Sequence, residues 1–326
     1  MKNIFIIIGL LTCSYLNANT TYYGDFRFRY EIENQELESN PRDRQRIRAR
    51  LGVKYILNDM EIGIRLASGA NSLQSPHQTL GDNNTEDNAE FGLDKAFLKY
   101  KFGSSTLTLG KYSLNMWRQN EVLMDGDYSP EGISYSYTRY GIILNTGYYL
   151  LNENGWDYGI GRDENLLTHQ IVYKKKLNNL SSTFSYSNAI LTNESYSIDS
   201  TLTLDINRVT NIYSTQFKLE NNTLGFDYHL TDTNSNNSAF IAMFKTKLMG
   251  HSIGVWYYDI AENGVLSHDF TQDNFPKTNN GFSGYRFQVG FKFKNTISTD
   301  IRYYFQIMDS TKEKINRIQL NLNVKF

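Results

Sequence analysis

The chain lacks most of what would place it in a common class. It has a single cysteine, Cys13, and only 4 prolines in 326 residues. If Cys13 is removed with a leader, neither a disulfide nor a thiolate metal site can form in what remains. The formal net charge of −1 argues against a nucleic-acid partner. Mean hydropathy is −0.50, and beyond the first residues there is no long apolar run, which excludes transmembrane helices. It does not exclude a membrane barrel, whose strands show lipid only every second side chain. No segment of ordinary length has a helical period. The five histidines, His77, His169, His229, His251 and His268, stand in no nucleophile or metal constellation. His251 and Ser252 are neighbours on a strand and so face opposite ways, which defeats a direct dyad. The sequence therefore offers no enzyme site and calls for no cofactor.

The first residues read as a secretory signal peptide, 1–18: Lys2, an apolar core from Ile4 to Leu11, and Ala18 as the small residue before Asn19. That core is too short to span a bilayer. Leu16 stands where a smaller residue is usual. A lipid anchor on Cys13 is the alternative, with Thr12 a poor match for the residue such an anchor needs. Residues 19–326 then form one unit with no shift in composition.

What the chain has is alternation. From Ile318 the last stretch sets Ile318, Leu320, Leu322, Val324 and Phe326 against Gln319, Asn321, Asn323 and Lys325. A period of two gives a strand with one apolar and one polar face. Phe26, Phe28, Tyr30 and Ile32 alternate with Arg27, Arg29 and Glu31 in the same way. Arginine recurs at 42, 44, 46, 48 and 50, opposite Ile47, Ala49, Leu51, Val53 and Tyr55. Turned to lipid, each such arginine would cost roughly 2–4 kcal/mol at the midplane, so the ladder must face water inside a barrel. Arg27, Arg29, Arg44, Arg46, Arg48, Arg50, Arg65 and Lys99 form the expected basic wall, with individual arginines also able to serve only as ion-pair partners. Seventeen clear strands can be counted. Parity requires an even number, which adds a strand at Trp156–Gly161; the expectation is about 18 strands, with 16 as the fallback. Either width leaves an aqueous channel. Aromatic residues make up 14%, with 24 tyrosines, and the pairs Tyr22–Tyr23, Tyr148–Tyr149, Tyr257–Tyr258 and Tyr303–Tyr304 are candidates for interfacial girdles.

Signal, alternating strands, short turns, long loops and a closing Phe326 together resemble the Gram-negative outer-membrane porin family, in which a terminal strand ending in Phe is the assembly signal. The resemblance implies a transmembrane antiparallel up-and-down β-barrel in the cell outer membrane, with short periplasmic turns and long extracellular loops. Its partners would be outer-membrane lipid, lipopolysaccharide, the barrel-assembly machinery and further copies in a homotrimer. It also implies an inward-folded constriction loop at Tyr112–Pro130, with Glu121, Asp125, Asp127 and Glu131 facing the basic wall. The family's Pro-Glu-Phe followed by Gly-Gly is absent; Asp127–Gly132 stands in its place. The expected function is passive diffusion of small hydrophilic solutes with a weak anion or carboxylate preference. A substrate-specific channel and a barrel adhesin acting through its loops are the alternatives.

Overall fold

The computed structural model describes residues 19–37, 41–69, 77–81, 91–152, 163–197, 203–267, 270–272, 274–276 and 281–326. The signal-peptide reading of residues 1–18, the extra strand at Trp156–Gly161 and the acidic loop residues Asp82, Glu86, Asp87 and Glu90 lie outside the described residues.

The alternation becomes strand. In chain order the strands are β1 (Asn19–Gln35), β2 (Arg42–Leu57), β3 (Met60–Ser68), the two-residue β4 (Gln78–Thr79), β5 (Phe91–Phe102), β6 (Ser105–Lys111), β7 (Glu131–Arg139) and β8 (Ile142–Asn152). They continue with β9 (Glu164–Leu177), β10 (Leu180–Ser197), β11 (Thr203–Leu219), β12 (Asn222–Thr231), β13 (Ser238–Leu248) and β14 (His251–Ile260). The last are β15 (Phe282–Lys292), β16 (Ile297–Met308) and β17 (Lys314–Lys325). Strand pairs with its sequence neighbour throughout, all antiparallel, and β1 pairs with both β2 and β17, so the sheet closes on itself. β4 only lies on β2 at Arg46 and Ile47 and on no other strand, which leaves a sixteen-stranded barrel.

Sixteen, not eighteen, corrects the count. The count of seventeen divides one strand in two: Thr203–Leu219 is continuous, and the sixteen that remain match the fallback. β10 and β11 run 18 and 17 residues, against the 9–11 that cross a bilayer. Asn207 and Arg208 lie inside β11 and mark no turn. An irregularity between Leu191 and Glu194 breaks the period in β10. With that division removed, the long connections all fall on one rim and the tight turns on the other. At one tight turn Tyr140 and Gly141 take φ of 50° and 81°, the left-handed pair that a two-residue hairpin turn needs.

The outer surface is what a bilayer requires. Leu51, Ile62, Ile64, Ile133, Leu144, Phe244, Ile301, Leu320 and Leu322 all point outward and are exposed. An outward aromatic row runs from Phe240 through Tyr257, Tyr285 and Phe287 to Tyr303, with ring centroids 5.1–6.5 Å apart. The tyrosine pairs divide. Tyr22, Tyr148 and Tyr303 are exposed on the outside, whereas Tyr149, Tyr258 and Tyr304 are buried inside. Adjacent strand residues face opposite ways, so in those pairs only one ring can serve a girdle.

The seam closes at Gly24. Its N–H donates to the Phe326 carbonyl at 2.9 Å, and the Phe326 N–H donates back to the Gly24 carbonyl at 3.2 Å. A Cβ at Gly24 would lie 2.5 Å from the Arg50 carbonyl oxygen and 2.6 Å from the Phe326 ring. Gly24→Val is therefore expected to sharply reduce the heat-modifiable folded species on unboiled gels, while Gly81→Val, where nothing lies within 4 Å of an added Cβ, retains more of it.

Candidate functional site

The inner face carries the charges that the outer face excludes. Across β1 and β2 the register sets Asp25 beside Arg50, Arg27 beside Arg48, Arg29 beside Arg46 and Glu31 beside Arg44. On the other flank of β1, Arg27 meets Asn323 and Arg29 meets Asn321, and each arginine donates through Nε to its asparagine, at 2.7 and 2.8 Å. All of these side chains share one face because the strand period is two.

The segment between β6 and β7, residues 112–130, folds into the barrel and crosses it. Its apolar residues make the crossing favourable: Val122, Leu123 and Met124 are buried, each contributing about 1.5–3 kcal/mol by area. They pack against inward residues of the far wall and against a second inward segment, described at residues 261–267, 270–272 and 274–276. Leu123 and Met124 join Tyr149, Leu166, Ala189, Leu191 and Ile212. Val122 joins Ile241, Trp256, Tyr258 and Phe275. Polar ties fix the register. Trp117 N–H donates to Gln170 Oε1 at 2.8 Å, and Gln170 Nε2 donates back to the Trp117 carbonyl at 2.9 Å. Gln119 Nε2 donates to the carbonyls of Thr215 and Phe226, 3.1 and 2.9 Å away. Its side chain lies where a Cβ on Gly225 would be, 2.3 Å from Oε1.

The decisive tie is Asp127. Arg48 Nη1 donates to both its carboxylate oxygens, at 2.8 and 2.7 Å, and Arg50 Nη1 donates to Oδ1 at 2.9 Å. Both arginines also hold Asp25, at 2.8 Å each. Burial opposes ionisation of the Asp127 carboxyl, but Arg48, Arg50, Arg27 and Arg29 outweigh it and hold it below the usual carboxylate range. Beside this contact lies a small cavity of 100 Å³, walled by Arg27, Arg29 and Arg302 on one side and by Glu121, Asp125 and Asp127 on the other. Gln272 and Asn274 of the second inward segment complete it.

A closed sixteen-stranded barrel with a loop across its lumen can be compared with known proteins. Residues 28–146 match the family model described as "Putative porin". OmpF of Salmonella typhi, solved in complex with daunomycin, superposes with a TM-score of 0.64 at 12% identity, over 94% of this chain and 97% of that one. The chain has the fold of the outer-membrane porins. OmpT of Vibrio cholerae in its trimer form gives 0.57 at 11% identity, over 95% and 99%. A mutant of the Rh. blastica porin gives 0.56 at 10%, over 94% and 100%. No curated protein matches.

In this porin-like barrel the basic residues read from the sequence lie inside, but they do not form an uncompensated positive wall. Arg44 pairs with Glu31, Arg65 with Asp94, and Arg48 and Arg50 with Asp25 and Asp127. Pairing is forced by the register: Asp25, Glu31 and Glu33 share the inner face of β1 with the arginines. Lys99 lies lower in the barrel, its Nζ 5.8 Å from the centre of the Phe97 ring, on a separate cavity of 360 Å³. Of the acidic candidates, Glu121, Asp125 and Asp127 meet at one cavity and Glu131 stands apart. It opens β7 opposite Lys111 and accepts from Lys111 Nζ at 3.1 Å. Arg302 and Asn274 escaped the sequence reading. Arg302 was legible as an inward rung between Ile301 and Tyr303. Asn274 was not, although it accepts from Arg317 at 3.1 Å, donates to the Tyr304 hydroxyl at 3.2 Å and through its carbonyl accepts from Gln306 at 3.1 Å.

Asp127→Asn keeps the shape of the tether and deletes its charge. It is expected to raise the anion-to-cation permeability ratio measured by reversal potential across a KCl gradient, while Glu131→Gln leaves that ratio unchanged.

Proposed function

We propose that the barrel is an outer-membrane porin, a water-filled channel through which small hydrophilic solutes diffuse passively. The observation that carries this reading is the narrow polar gap in which Arg27, Arg29 and Arg302 face Glu121, Asp125 and Asp127. Low-dielectric walls focus the field between opposed charges, so a solute must be small, hydrated and oriented to pass. No bond needs to be made or broken. The weak anion preference belongs to the same proposal. Arg27 contributes charge without a carboxylate at ion-pair distance; among the described residues its hydrogen-bond partner is the neutral Asn323.

The same reading sets the surroundings. The outward apolar belt meets outer-membrane lipid, with lipopolysaccharide on the long-loop side. The strand ending in Phe326 serves as the signal for the barrel-assembly machinery. A homotrimer is the proposed assembly, by analogy with the trimer form of the Vibrio cholerae protein. Cleavage after Ala18 delivers the chain from residue 19.

Purified protein in planar bilayers is expected to give an ohmic open current with an anion-to-cation permeability ratio modestly above one. Arg27→Ala combined with Arg302→Ala is expected to bring that ratio to one or below. A closed membrane, or clear cation selectivity indifferent to those two changes, would contradict the reading.

A further inference from the structure

A cavity of 760 Å³ lies below the crossing loop, between residues 116–126 and the tight-turn rim at Glu220 and Asn221. Six cations line it, Arg118, Lys218, Lys245, Lys247, Arg286 and Arg302, against two carboxylates, Glu121 and Glu220. Of the six, only Arg302 has a carboxylate at ion-pair distance among the described residues, Asp300 at 2.5 Å. That reverses the state of the ladder on β2, whose arginines at 44, 48 and 50 are all matched by carboxylates.

At the wall of this cavity two of the cations are held by a ring instead of by an acid. Trp256 and Arg286 are direct register partners on β14 and β15, and the guanidinium carbon sits 4.3 Å from the indole ring centre. Lys245 Nζ approaches the same ring at 5.1 Å. The ring is placed for this: a Cβ at Gly254 would lie 2.5 Å from it, so only glycine two residues earlier leaves the indole room to lie along the strand. A π face holds a cation without neutralising it or consuming its N–H donors. The buried Nε of Arg286 has no hydrogen-bond partner, and its Nη2 donates to the neutral Gln288.

We propose that Arg286 and Lys245, positioned by Trp256, form a binding site for small multivalent oxyanions in the periplasmic vestibule, separate from the charged gap above it. A planar guanidinium fork matches a carboxylate or phosphate edge, and six cations against two carboxylates favour a divalent anion over chloride. The site rests on the channel reading above and deepens it. Succinate and inorganic phosphate are the probes, added to single channels held in KCl. Both produce concentration-dependent block of the chloride current, stronger from the tight-turn side. A block by succinate alone assigns the site to carboxylates, and a block by phosphate alone assigns it to phosphate. Arg286→Gln and Lys245→Gln each raise the half-blocking concentration about tenfold, as losing one charge-assisted contact implies. Lys245→Gln reads the same site should the Arg286 variant fail to fold. Open channels that neither probe blocks, or a block that survives both substitutions, would overturn the site alone. The absence of any open current would overturn the channel reading and the site with it.

Discussion

A single carboxylate between two guanidinium groups organises the lumen. Asp127 lies on a loop, and Arg48 and Arg50 lie on a strand of the wall. Asp127 is half-buried, and removing it would leave part of the arginines' charge uncompensated. Without Asp127 the two arginines would share only Asp25. With it, the loop is fixed across the barrel of sixteen strands, beside a small cavity lined by charges of both signs.

The loop is also held from the far side by oil. Val122, Leu123 and Met124 need an apolar surface inside a barrel whose interior is otherwise wet, and the strands opposite supply it at Tyr149, Leu166, Ala189, Ile241 and Tyr258. The inner face is thus divided: charged on β1, β2 and β17, apolar where the two inward segments dock, and basic below them. That division gives the electrostatics their geometry. Ion pairs near the gap cancel most of the ladder's charge, and the cations that keep theirs sit lower, on the opposite wall.

The barrel was legible because two solvents impose period two on every strand. Phe26 and Arg27, Ile47 and Arg48, Ile301 and Arg302 could each be assigned to a side from sequence alone. The strand count was less legible, since β10 and β11 run well beyond the length that a bilayer requires. The pairing within the basic wall was less legible. Asp25 and Glu31 were visible as inward residues and the resemblance set Asp127 across from the wall, but that Arg48 and Arg50 share its carboxylate, 79 residues from Arg48, comes only from the folded loop. Nor could the second inward segment be read, although Val265, Leu266, Phe270 and Phe275 are apolar in a way that a solvated loop does not require.

The central claim is that residues 112–130 stand in the water path, with Glu121 lining the charged gap. The direct test is a channel carrying Glu121→Cys as its sole cysteine, Cys13 also being replaced, exposed to a charged, water-soluble thiol reagent during single-channel recording. The account predicts a stepwise fall in conductance as each channel is modified, reversed by reducing agent. A variant that is modified with no change in current, or that cannot be modified from either side while the channel is open, would contradict it.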